Sequence, residues 1–166
     1  MNYNYSGEES ITIKKLKDKF PQYILSIHNY RGDDTALIKR ETITEVCKFI
    51  KDDKDLDYNF LTDLTVVDYL GNDPRFEVVY HFYSLKHNHR VRIKAGVPES
   101  DPTIDSLTPL YKGANWFERE AWDMYGIKFN GHPDLRRILL YEEFKGHPLR
   151  KDYPIDERQP LVGPKN

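Results

Sequence analysis

Four charged residues crowd one short span of this chain, Glu118, Arg119, Glu120 and Asp123, and two Gly-His-Pro triplets follow at Gly131-His132-Pro133 and Gly146-His147-Pro148. Carboxylates and imidazoles are the side chains that move protons near neutral pH, so the chemistry to weigh first is general acid–base catalysis. The spacing argues against it. Glu118 and Glu120, two apart on a helix, point to different sides and make a poor dyad. Each histidine precedes a proline, which biases it toward extended backbone, and neither has a nucleophile beside it in sequence. There is no G-x-S-x-G, no P-loop, no G-x-G-x-x-G and no C-x-x-C. The single Cys47 falls on the apolar stripe of a helix, and Asp52, Asp53 and Asp55 lack the glycine and terminal glutamate of a calcium loop. His81, His87 and His89 read as strand and turn residues. No catalytic, metal or cofactor-binding residue is therefore expected.

What the charges can do is hold structure. Arg119 and Asp123 stand at i, i+4, a spacing that allows a pair. Glu118, Arg119 and Glu120 fan over about 200° of a helix. With Trp116 and Trp122 also to be covered, at least one of the three belongs in a buried or interfacial ion pair. The helix itself is expected over 116–125, with Asn115 as N-cap, Glu118 as the capping-box acid, Phe117, Ala121, Met124 and Tyr125 as its apolar stripe, and Gly126 as the residue that closes it.

From Ile127 onward periodicity stops. Pro133, Pro148, Pro154, Pro160 and Pro164 break up the segment, yet Ile138, Leu139, Leu140, Tyr141, Phe144, Leu149 and Tyr153 make it too apolar for solvated disorder. An extended tail ordered by a partner is the expected compromise. Its basic residues, Arg136, Arg137, Arg150 and Lys151, alternate with Asp134, Glu142, Glu143, Asp152, Asp156 and Glu157. That mixture suits carboxylate pairing with protein rather than binding to nucleic acid.

The elements ahead of this stretch read as a small α+β domain. Ser10 caps a helix over 11–20 with Ile13, Leu16 and Phe20 on one face; strands follow at 23–28 and 35–39, with Arg31-Gly32-Asp33-Asp34 as a turn. Thr42 and Glu45 have capping-box spacing ahead of a helix carrying Ile43, Val46, Cys47 and Ile50. Residues 59–70, 75–85 and 90–97 form an antiparallel meander, the last strand alternating Val91, Ile93, Ala95 and Val97 against Arg90, Arg92 and Lys94. The expected organisation is an α+β domain over 1–126, its antiparallel sheet packed with a few helices, and an extended partner-binding segment over 127–166.

Composition sets outer bounds. With 27 acidic and 25 basic residues among 166, the chain has no long-range field to attract nucleic acid or anionic lipid. No run of 18 apolar residues exists to span a membrane, and the first residues have neither a basic n-region nor an apolar h-region, so a reducing, cytoplasmic setting is the default expectation. Twelve tyrosines in so hydrophilic a chain fit half-buried positions, in a sheet or at a partner surface.

One long pattern goes further. Glu118-Arg119-Glu120-x-x-Asp123-Met124-Tyr125-Gly126-Ile127, then Phe129-x-Gly131-His132-Pro133-Asp134-Leu135-Arg136-Arg137-Ile138-Leu139, then Gly146-His147-Pro148-Leu149-Arg150-Lys151-Asp152-Tyr153-Pro154 resembles the thirty-kilodalton-subunit family of respiratory complex I, the NADH–quinone oxidoreductase. The match is detailed over 115–154; Phe144 stands where many relatives carry Trp. The resemblance implies a subunit of the hydrophilic arm that binds no cofactor itself. NADH, flavin, iron–sulfur clusters and quinone would be handled by other chains. The partner implied is chiefly the large chain that helps form the quinone site, with the C-terminal segment lying over it. Membrane association would come only through the complex, on the cytoplasmic face of the bacterial inner membrane. Equivalent subunits of membrane-bound hydrogenase or ferredoxin-linked complexes share the pattern.

Overall fold

A computed structural model of the chain describes residues 2–4, 8–161 and 163. In order, the elements are β1 (Asn2–Asn4), α1 (Ile11–Lys19), β2 (Ile24–Tyr30), β3 (Asp33–Ile38), a 3-10 turn (Arg40–Thr42), α2 (Ile43–Asp52), β4 (Phe60–Asp68), β5 (Phe76–Ser84), β6 (His89–Val97), β7 (Thr103–Asp105), α3 (Ala114–Tyr125) and β8 (Lys128–Asn130).

The α+β class and the β4–β5–β6 meander are as the sequence indicates. Val78 lies opposite Ala95, and Leu64 opposite Tyr80. The sheet is larger than the meander, though, and it is mixed. Its order is β1-β2-β3-β6-β5-β4, because β3 docks parallel to β6 with Ala36 opposite Ile93. Alternation then puts Ile27, Ala36, Ile38, Leu64, Val78, Tyr80, Phe82, Ile93 and Ala95 on one face, all nearly or fully buried. They share a core with Ile13 and Leu16 of α1 and with Ile43, Val46, Cys47 and Ile50 of α2. Each large aliphatic or aromatic side chain among them contributes about 1.5–3 kcal/mol by leaving water. The opposite face carries Arg90, Arg92 and Lys94. Lys94 pairs with Glu77 at 2.8 Å, Arg90 stands 4.0 Å from Asp33, and Arg92 donates to Thr35 Oγ1.

Helix starts follow the sequence unevenly. Ser10 Oγ accepts from the Ile13 amide, so α1 is capped as its sequence indicates. The expected capping box at Thr42 does not form. The chain enters α2 through a 3-10 turn, and the Thr42 hydroxyl points back to donate to the Lys39 carbonyl at 2.8 Å. Likewise α3 begins earlier than expected, at Ala114, so Asn115 lies inside it and caps nothing. Past Gly126, β8 pairs parallel with β7, Phe129 opposite Ile104, and Ile127 and Phe129 are buried in the core. Among the described residues, regular structure ends with β8, and the irregular segment starts at Gly131.

Candidate functional site

The last turn of α3 leaves carbonyls with no helical partner, and the chain that follows supplies the donors. The Gly126 amide bonds the Trp122 carbonyl at 2.8 Å, with Gly126 at φ +79°, as a helix-closing glycine requires. His147 Nδ1 donates to the Asp123 carbonyl at 3.0 Å, the Leu149 amide to the Met124 carbonyl at 3.1 Å, and Arg150 Nε to the Tyr125 carbonyl at 2.6 Å. Residues 131–154, here called the strap, thus cap α3 from a distance, with the Arg150 cation placed at the negative end of the helix dipole.

Asp123 is the centre of this joint. Its carboxylate is fully buried. Oδ2 accepts from three consecutive strap amides, Ile138 at 3.0 Å, Leu139 at 2.9 Å and Leu140 at 3.0 Å, while Oδ1 meets Arg137 Nη1 at 2.6 Å. Burial acts to raise its pKa, but these donors outweigh it and hold the carboxyl below its ordinary value. Arg137 then closes the loop beyond, donating from Nη2 to the carbonyls of Phe144 and Gly146, with its guanidinium over the Trp122 ring.

The expected Arg119–Asp123 pair is absent, because both partners are better satisfied elsewhere. Arg119 donates to the carbonyls of Arg136 and Arg137 at 3.1 and 2.9 Å. Glu118 is drawn inward, as the crowding of charge implied, but into hydrogen bonds rather than an ion pair. It accepts from Ser106 Oγ and the Leu107 amide, both at 2.6 Å, tying α3 to the loop after β7. Burial pushes its pKa up to about 7, against the pull of those two neutral donors. Glu120 stays exposed.

The two histidines are held in opposite tautomers. His132 Nδ1 accepts from the Asp134 amide, so its proton sits on Nε2 and faces the Asn115 carbonyl at 3.2 Å. His147 must carry its proton on Nδ1 to donate to Asp123. Burial, with Arg150 and Arg137 nearby, lowers the His147 pKa against the pull of the Asp123 carbonyl. Asp134 pairs with Arg136 at 3.0 Å at the surface. Gly146 lies under the Tyr153 ring, which stacks on Phe144. Pro133 and Pro154 are exposed, and Pro148 is half-buried between His147 and Leu149.

A second anchor was not legible in sequence. Arg75, just before β5, is 2% exposed and grips Asp68 through Nε and Nη2 at 2.9 and 2.8 Å. It also reaches Glu99 at 2.6 Å and Asp152 of the strap at 2.6 and 3.0 Å. The Lys151 amide also bonds Asp68. The Arg75 guanidinium holds Asp68 and Asp152 below the ordinary carboxylate range, although burial opposes it in both. Sequence offers no cue for this hub: Asp68 and Asp152 lie 7 and 77 positions from Arg75.

Chemically, then, Asp123, Arg119, Arg137, Arg150, His132 and His147 are brought to one joint between α3 and the strap, and Asp152 fastens the same strap to Arg75. Each is engaged with the backbone or with another side chain. Cys47 is buried with its thiol pKa pushed well up by desolvation. Among the described residues no three His, Cys, Asp or Glu side chains are grouped to hold a metal, and no helix is long and apolar enough to cross a membrane.

Comparison with known proteins agrees with the pattern. Residues 36–159 match the family described as the respiratory-chain NADH dehydrogenase 30 Kd subunit. The chain is 51% identical to the C subunit of the NADH-quinone oxidoreductase of Citrifermentans bemidjiense, over 95% of its length and 98% of the relative's. It is 47% identical to the corresponding C subunit of Geobacter sulfurreducens, with the same coverage. Among solved structures, a trypsin-resistant fragment (1-134) of Nqo5 superposes with a TM-score of 0.66 at 31% identity, covering 75% of this chain and all of the fragment. A chain of an archaeal membrane-bound sulfane sulfur reductase shares the fold, with a TM-score of 0.74 at 19% identity, covering 86% of this chain and 84% of that one. The chain belongs to the thirty-kilodalton-subunit family of respiratory-chain NADH dehydrogenase, complex I.

Proposed function

We propose that this chain is a cofactor-free scaffold of the peripheral arm of a proton-translocating NADH–quinone oxidoreductase, and that its strap docks on the chain that forms the quinone site. Electron transfer from NADH to quinone runs through other subunits, and the chain meets the cytoplasmic face of the membrane only through them. The observation that carries this reading is how the motif charges are used. Glu118, Arg119, Asp123, Arg137, His147, Arg150 and Asp152 are engaged in fixing the strap and α3 in place. Such a joint presents a shaped surface, and its acids and bases are occupied with structure rather than poised over a substrate.

The test is a tagged full-length chain expressed in its source cells. It is expected to co-purify from solubilised membranes with the other oxidoreductase subunits, and a cross-linker placed at Leu139 should reach the quinone-site chain. Loss of the chain should abolish NADH–quinone reduction by membranes, while the purified chain alone should have none. Purification of the tagged chain without other oxidoreductase subunits, or NADH oxidation by the isolated chain, would overturn the reading.

A further inference from the structure

The outer stripe of α3 carries a feature that the joint does not use. Trp116 is 64% exposed, a large indole left in water on a helix. Single exposed apolar residues are ordinary, but this one is rigidly presented. The Arg119 guanidinium lies over its ring at 5.7 Å, and Arg119 is itself fixed by the carbonyls of Arg136 and Arg137. His132 is tied to the backbone of the neighbouring Asn115. Asp123, one helical turn on from Arg119, holds the amide of Leu139, whose side chain is exposed. An aromatic anchor and a fixed arginine on ordered backbone suit a binding hot spot, because little side-chain freedom remains to be lost on docking.

We infer that Trp116, with Arg119 over its ring, anchors a second protein of the same complex, one that offers an apolar socket with carboxylates on its rim. The charge around the anchor argues for that partner. Lys112 precedes Trp116 by four positions, Arg119 covers its ring, and Arg136 is held by Arg119 through its carbonyl. The Arg136–Asp134 pair cancels, which leaves Lys112 and Arg119 against Glu120, an excess of one cation. Among the described residues Arg119 bonds the strap through Nε and Nη2, and its Nη1 is the atom to meet a carboxylate from outside. A second copy of this chain would bring the same excess of cations and fit less well. The inference rests on the scaffold reading above and adds where the anchor of that scaffold lies.

The experiment uses the full chain in the intact complex. A photo-cross-linking residue in place of the exposed Glu120, one helical turn on from an intact Trp116, should form an adduct with a different subunit, through a peptide containing Asp or Glu. In parallel, Trp116→Ala should lower incorporation into the complex by about tenfold or more. Leu85→Ala, which trims an equally exposed residue at a hairpin turn, should leave incorporation unchanged. Trp116→Phe serves as a milder second variant if the alanine form melts early, and it should incorporate to an intermediate degree. No adduct, an adduct only with another copy of this chain, wild-type incorporation of Trp116→Ala, or equal losses for Trp116→Ala and Leu85→Ala would each overturn the inference. Failure of the wild-type chain to co-purify at all would instead overturn the scaffold reading.

Discussion

The domain up to β8 and the strap after it are held together by different physics. In the domain, apolar side chains alternate onto one sheet face and meet the helices, and backbone groups pair in ladders. In the strap, regular structure is absent after Asn130 among the described residues, and order comes from charged side chains reaching backbone groups. Arg137 takes two strap carbonyls, Arg119 two more, and Asp123 gathers three amides. The domain's stability is therefore spread over many small contributions, whereas the strap's is concentrated in a few buried ions. The contrast also has a sign. Glu118 is buried on the domain side with its pKa raised, and Asp123 is buried at the strap with its pKa lowered.

The sharpest way to break this contrast is Asp123→Ala. It leaves the Arg137 guanidinium and three amides without their acceptor, and losing one partner of a buried ion pair costs about 3–5 kcal/mol. The loss should be local. The amides of Ile138, Leu139 and Leu140 should lose protection in hydrogen exchange, while those of β5 and β6 keep theirs. Equal loss in strap and sheet would show that the two regions are one cooperative unit.

Glu118→Gln tests the opposite sign. A carboxyl whose folded pKa is raised stabilises the fold fully below its unfolded value, near 4.5, and that contribution disappears as pH rises through about 7. Wild-type protein should therefore lose about 3 kcal/mol between pH 4.5 and 8 from this group alone, and the glutamine variant should not. Denaturant unfolding of both proteins across that range measures the difference. Parallel stability curves would mean that Glu118 is solvated or paired in solution.

The strap should respond to acid in the reverse direction. Asp68, Asp123 and Asp152 all have depressed pKa values, so their stabilisation is present above the ordinary carboxylate range and disappears as pH falls through the folded values. The lowered pKa of His147 adds to this, since protonating it below about 6.5 works against the folded joint. Amide exchange near pH 3 should show strap residues 138–140 opening while the sheet stays protected. Protection of 138–140 unchanged from neutral pH would remove the ion-based account of the strap.

What could be read from residues alone divides along the same line. Period-3.6 and period-2 patterns report burial, so Ile13, Leu16 and Phe20, or Val91, Ile93 and Ala95, were legible as core faces. The parallel docking of β3 on β6 was not, because residues 35 and 92 carry no local mark of their adjacency. Local charge rules misled for one reason throughout. Capping-box and i, i+4 spacings hold only when no better partner exists, and Thr42, Glu118, Arg119 and Asp123 each found one. The strap was recognisable as a motif, but the order it shows depends on Arg75 and Asp68, far away in sequence.

The smallest expected effect separates packing from conformation at the joint. Gly126 and Gly131 have nearly equal positive φ, +79° and +78°, so replacing either with alanine incurs the same left-handed penalty of about 1 kcal/mol. Their surroundings differ. A Cβ on Gly126 would stand 2.6 Å from His147 Nε2 and 2.7 Å from Arg150 Nη2, while one on Gly131 meets nothing within 4 Å. Both contacts are with side chains that cap α3, so Gly126→Ala must displace His147 and Arg150 and is expected to weaken their bonds to the helix end. The difference between the two variants, expected at about 1–2 kcal/mol, measures how closely the strap is seated on α3. Equal melting shifts for Gly126→Ala and Gly131→Ala would mean that His147 and Arg150 yield freely, and that the strap is seated on Asp123 and Arg75 alone.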